Sequence, residues 1–446
     1  MTTLVKNTVP GGSRLSMPQE LIDFTLDFLH DDIPTLRACS LVSRAFLPCS
    51  RYHIYSNVFI VHVRDLDIFR EQYAGQVYQC QNLAALLEHS PHLAPLVRRF
   101  GIHGKSWMTN VLKDTSLFPT IQSLRNLSHL EFISSTTRGR FPVETYSLFL
   151  AALRSPSLKT LILKGINFQN DGRFVFEDAF TAAAANPALK HLSLVDSYRG
   201  GVETSEPYPP IRPPPSGLPA LESLSISGTQ NISRLFFTQY LYSISGIRRL
   251  SLQMDPVTPC SLIQSLLNEM QETLECFTLD IDPKIRRQVG LDLSRHRNLS
   301  SLYTIVPDFF PGLYSVPEMR LNPTLRTLTV EHVSRPNTNS VEYSLRVCAE
   351  VDRLALPALE HVHIRRHVPL DDRCYYWAAC DCEVQWDAED LDGWRRQVEE
   401  SMPLLKDRGI LEVELTNRRY IVFLSDRADV DLFPVARGND YQSAFA

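Results

Sequence analysis

One phrase recurs down this chain and limits what it can fold into. It is an L-x-x-L-x-L pattern with conservative swaps, at 97–102, 127–132, 158–163, 189–194, 221–226, 247–252 and 274–279. Further copies begin at Leu299 (a weaker one), Leu325, Leu359 and Ile410. First positions from Val97 to Leu359 are 25 to 34 residues apart, and the last step is 51. The alternation inside each phrase fits a strand with one apolar face. Between phrases lie segments with helical patterning, at 142–154, 176–186, 231–244, 261–273, 283–296 and 340–353. A unit of one strand and one helix cannot bury its own apolar side, whereas stacked units can. The expectation is an α/β fold with parallel strands over residues 97–424.

The composition narrows the function classes. A chain that is 44% hydrophobic and 21% charged has globular composition, and a net charge of −5 argues against a nucleic-acid binder built on a broad basic face. No run of eighteen apolar residues occurs, so no membrane span is expected, and the first residues carry no apolar signal segment. Nine scattered cysteines suit free thiols in a reducing compartment, cytoplasmic or nuclear.

Residues 16–50 differ from the rest. Ser16 and Gln19 fit a capping box, with Pro18 in the first turn. A helix from Gln19 to Leu29 would turn Leu21, Ile22, Phe24, Thr25, Leu26, Phe28 and Leu29 over an arc of about 200°, wider than one neighbour can cover. Asp32 is placed to cap a second helix, 35–41, and 43–50 reads as a third, closed at or soon after Pro48. Such short helices need support from the following chain or from a partner. Residues 53–61 read as a strand and 79–89 as a helix, both in a linker or cap at 53–96.

Two resemblances follow from these residues. The order Pro18-x-Glu20-Leu21-Ile22, Leu26-x-x-Leu29, Leu36 and Ser40-Leu41-Val42-Ser43-Arg44-x-Phe46 resembles an F-box in the style of fungal F-box proteins. Met17 stands where Leu is usual, and Phe46 where Trp is usual. The strand phrase resembles an irregular leucine-rich repeat, lacking the usual Asn or Cys after most strands. The resemblance implies a three-helix F-box at 14–52 followed by a leucine-rich-repeat-like solenoid. It also implies a non-catalytic substrate-recognition subunit of an SCF-type cullin–RING ubiquitin ligase. Pro18, Glu20, Leu21, Ile22, Leu29, Leu36, Leu41, Val42 and Phe46 would then meet the Skp adaptor on its cullin scaffold. A repeat scaffold without ligase association is the alternative.

The third, fifth and seventh positions of each phrase point away from the apolar face, toward the expected concave side. Arg99, His129, His191, Arg249, Tyr303, His361 and His363 are the candidate target contacts there, in a setting of mostly small polar residues. The partner bound there is expected to be a protein whose identity the residues do not give.

Two insertions interrupt the repeats. The proline-rich segment 200–219 reads as an extended loop, and 371–409 as a terminal cap. Residues 1–13 and 425–446 read as mobile termini. No phosphate loop, nucleotide-binding glycine pattern, H-E-x-x-H or nucleophile elbow occurs, so no catalytic residue and no cofactor is expected. His361, His363, His367, Cys374, Cys380 and Cys382 are zinc-type ligands, but Cys380-Asp-Cys382 is too tight for a zinc knuckle and no metal is expected there.

Overall fold

The computed structural model describes residues 17–61, 76–104, 111–134, 139–140, 143–167, 169–170, 173–174, 182–183, 185–195, 220–227, 244–254, 259–281, 290–307, 319–333, 340–354, 356–367 and 388–415. Within them lie a sheet of thirteen strands, all parallel, and eleven helices. Three helices come first: α1 (Gln19–Asp27), α2 (Ile33–Val42) and α3 (Leu47–Ser56). The sheet then begins with β1 (Asn57–Ile60), which pairs on one side with β2 (Gln76–Tyr78) and on the other with β3 (Arg99–Gly104). From β3 onward, neighbours in the sheet are neighbours in the repeat, through β4 (His129–Ser134) to Leu411–Leu415 at the far edge. Each recurrent phrase supplies one of these strands. The sheet therefore starts two strands earlier than the first phrase, inside the segment 53–96 read as linker or cap.

The fourth position of the phrase forms one continuous row. Phe100, Leu130, Leu161, Leu192, Leu224, Leu250, Phe277, Leu302, Leu328 and Val362 stand side by side in register. None of them is more than 3% exposed. The sixth position repeats the arrangement one pleat on and includes the weak copy, where Thr304 is buried in place of an aliphatic residue. Helices Leu117–Ser123, Val143–Leu153, Cys260–Asn268 and Ser340–Arg353 share the core with that side of the sheet.

Two polar devices repeat with the strands. The carbonyl of the second phrase position accepts two backbone N–H groups from the next repeat. Arg98 O takes Ser128 and His129, Lys159 O takes Lys190 and His191, and Arg326 O takes Glu360 and His361. A side chain ahead of the strand also reaches back one repeat. Asn186 Nδ2 donates to Ser155 O and Leu158 O at 2.8 Å each, Asn298 to Glu272 O and Asn322 to His296 O. These bonds satisfy carbonyls that turns would otherwise leave orphaned, among them the buried ones of Leu158 and His296.

The described part of 371–409 holds two helices, Ala388–Ser401 and Pro403–Asp407, which pack beside Ser340–Arg353 between the last two strands of the sheet. Trp394 is 3% exposed and joins the sheet's core, with the Arg366 guanidinium 5.5 Å from its ring centre.

Several expectations are corrected. Pro48 lies in the first turn of α3 and starts that helix instead of closing one, which its missing N–H and fixed φ allow. That helix runs through His53 to Ser56, so only the second half of 53–61 is strand. The N-cap of α1 is Pro18, which makes no side-chain cap bond. Residues 291–293 are not helical: Asp292 makes an isolated bridge to Arg320. The proline-rich 200–219, the termini 1–13 and 425–446, and Cys374, Cys380 and Cys382 lie outside the described residues.

Candidate functional site

The first three helices enclose a core of their own. Ile22, Leu26, Leu36 and Ile54 are buried together, with Leu29, Ile33 and Phe46 packed partly against them. Tyr55 touches both this cluster and the core of the sheet, so the unit is seated on the end of the repeat. Asp32 caps α2, its carboxylate accepting from Thr35 N at 3.0 Å and Thr35 Oγ1 at 2.6 Å. That pair of bonds lowers the Asp32 pKa. Gln19 Nε2 donates to Ala45 O at 2.9 Å and brings the start of α1 to the turn after α2.

What this core leaves out is an apolar surface. Met17, Leu21, Phe24, Phe28, Leu41 and Val42 are between 52% and 86% exposed. Leu21, Phe24 and Phe28 follow a 3–4 spacing on one face of α1, and the rings of Phe24 and Phe28 meet edge-on with centroids 4.9 Å apart. Of the eight large apolar side chains exposed among the described residues, seven fall between Met17 and Tyr52, so the patch is concentrated and not scattered.

The predicted adaptor contacts divide accordingly. Pro18, Glu20, Leu21, Leu41 and Val42 are exposed. Ile22 and Leu36 are core residues at 6% and 0% exposure and cannot be contacts, while Leu29 and Phe46 are half-buried. The list omitted Met17, Phe24 and Phe28. The wide apolar arc of α1 was the signal for the two phenylalanines.

The second face of the sheet is more closed than expected. Ser193, Ser223, Ser225, Ser251 and Thr329 are all under 9% exposed. Strands paired in register set equivalent side chains about 4.8 Å apart, where each shades the next. At one end Glu131 is fully buried and holds three partners: Arg99 at 2.9 Å, His103 at 3.0 Å and His129 at 3.3 Å. Burial alone would push this carboxyl up. Arg99 and His103 outweigh it, aided by the His129 hydrogen bond, and hold it well below the usual carboxylate range. Gly101 makes the room, since a Cβ there would lie 2.6 Å from Glu131 Oε1 and from the Phe59 ring.

The seven predicted target contacts are not gathered into one site. Arg99 and His129 belong to the Glu131 network. Tyr303 donates its hydroxyl to Glu331, and His363 pairs with Glu412 at 2.8 Å. Burial leads the causes that lower the His363 pKa. His191 and Arg249 are partly exposed, and His361 is exposed beside His363, with ring centroids 6.2 Å apart.

A third cluster lies where α1 meets α3. Asp27, Cys49 and His53 place their ligand atoms within 4.8 Å of one another. Burial pushes the Cys49 thiol up to about 11, and the carboxylates of Asp27 and Asp23 add to the effect. No helix among the described residues is long and apolar enough to cross a membrane. Neither a protein-family model nor a curated protein matches the chain.

Proposed function

We propose that this chain is the substrate-recognition subunit of an SCF-type cullin–RING ubiquitin ligase. In this reading residues 14–52 are an F-box that docks on the Skp adaptor, and the parallel repeat behind them is an irregular leucine-rich-repeat-like solenoid that holds a target protein. The chain performs no chemistry of its own. It raises the local concentration of a target beside the ligase.

One observation carries the reading: six large apolar side chains stand exposed on helices that already possess a closed core. Leaving them in water has no benefit to the isolated fold, and burying each against an adaptor is worth about 1.5–3 kcal/mol before association costs. The motif residues split into two sets that suit this role. Ile22, Leu26 and Leu36 hold the helices together, while Leu21, Leu41 and Val42 face outward.

The test is co-purification of the full chain with the Skp adaptor, wild type against Leu21→Asp with Leu41→Asp. Both side chains are exposed, so the double variant leaves the helical core intact. Wild type is expected to retain the adaptor and the variant to lose it. Equal recovery by both, or by neither, overturns the reading.

A further inference from the structure

We infer that Asp27, Cys49 and His53 form a binding site for a divalent cation of the zinc class. The site is independent of the adaptor reading and of the target-binding sheet. Its three side chains come from two helices. Asp27 is the last residue of α1, and Cys49 and His53 lie one turn apart on α3, so they share a face.

The geometry is close to that of three tetrahedral ligands. Asp27 Oδ1 lies 2.8 Å from His53 Nε2 and 3.8 Å from Cys49 Sγ. Zinc bond lengths of roughly 2.0–2.3 Å put neighbouring ligand atoms about 3.3–3.6 Å apart. On binding, the Asp27–His53 pair would open slightly and Cys49 and His53, whose ligand atoms lie within 4.8 Å, would draw together by rotation of their side chains. The donor set selects the metal. A thiolate, an imidazole and a carboxylate together favour zinc over magnesium or calcium, which take oxygen ligands.

The fourth position has two suppliers. Asp27 is 61% exposed on its side chain, so water reaches the site. His30 sits at its edge, its ring centre 6.4 Å from that of His53 and its Nδ1 2.9 Å from Asp27 O. A bound ion would tie the end of α1 to α3 across a core of four buried residues. It would thereby stiffen the helix that carries Phe24 and Phe28. The competing account is a His53–Asp27 hydrogen bond beside a Cys49 thiol that donates to Asp23 O and Asp27 Oδ1, 3.8 Å from each.

Cobalt(II) reports the difference, because a thiolate ligand adds a near-ultraviolet charge-transfer band. The full chain is stripped with a chelator and titrated with cobalt, wild type beside Cys49→Ser and His53→Gln, with folding checked by far-ultraviolet circular dichroism. The expected result is a thiolate band that saturates in the wild type, is displaced by zinc, and is lost in the Cys49 variant. The same band in Cys49→Ser, or no band in the folded wild type, overturns the site. Alkylation of wild type, mapped by peptide mass, needs no variant. Zinc should slow modification of Cys49 by about tenfold or more, since a metal-bound thiolate is shielded. Unchanged labelling of Cys49 overturns the site equally.

Discussion

Glu131 is a carboxylate in an environment unusual for its type. A carboxylate with no solvent exposure persists because Arg99, His103 and His129 all point at it and Gly101 leaves it space. Breaking a buried pair by removing one partner is costly, so Glu131→Gln should destabilise the fold by about 3 kcal/mol at neutral pH. The pH dependence has a definite sign. The folded-state pKa is depressed, so the carboxylate's contribution is complete above the ordinary glutamate range. It is lost as pH falls through the depressed folded value. Urea unfolding of wild type and variant should therefore converge as pH falls below about 5. A difference that grows below that pH would contradict the account. The phrase positions put Arg99, Gly101 and His103 on one face of a strand and His129 and Glu131 on the same face of the next. Their meeting around one buried carboxylate was not legible, because it depends on the strand register that sets Gly101 beside Glu131.

Elements were legible where periodicity and punctuation agreed. The alternating phrases became strands because their fourth and sixth positions fill a single core. Ser340–Arg353 formed over the bounds its patterning indicated. Reading failed where a proline was ambiguous. Pro48 has the same chemistry at a helix start as after a helix end, and only the packing of α3 against α2 and α1 decides between them. The back-reaching side chains were also illegible, since an asparagine before a strand is ordinary turn chemistry. Asn186 shows what they contribute. Its buried amide donates to two carbonyls of the previous repeat. Asn186→Ala should cost about 2 kcal/mol in thermal or urea unfolding, because one buried and one part-buried acceptor lose their donor. A loss near that of an exposed substitution, under about 0.5 kcal/mol, would show the ladder to be incidental.

At the scale of the molecule, the two ends of the sheet differ. Next to the C-terminal edge strand Leu411–Leu415, Ala388–Ser401 packs beside Ser340–Arg353 with Trp394 in the core. Trp394→Ala should cost about 3–5 kcal/mol. Hydrogen exchange should then accelerate first in Leu411–Leu415, and uniform acceleration across all strands would argue against a local role. The N-terminal end carries three helices whose inner residues are spent on their own core and whose outer residues are not. The sequence pattern placed three short helices here, but it mixed the two sets. Motif positions alone cannot tell Ile22, which faces inward, from Leu21, which faces out. The central claim is that the outward set meets an adaptor. Amide hydrogen exchange of the full chain, with and without saturating Skp adaptor, tests it most directly. The account predicts slowed exchange in Gln19–Asp27 and Ile33–Val42 with the repeat strands unchanged. Unaltered exchange in both helices at saturating adaptor would contradict it.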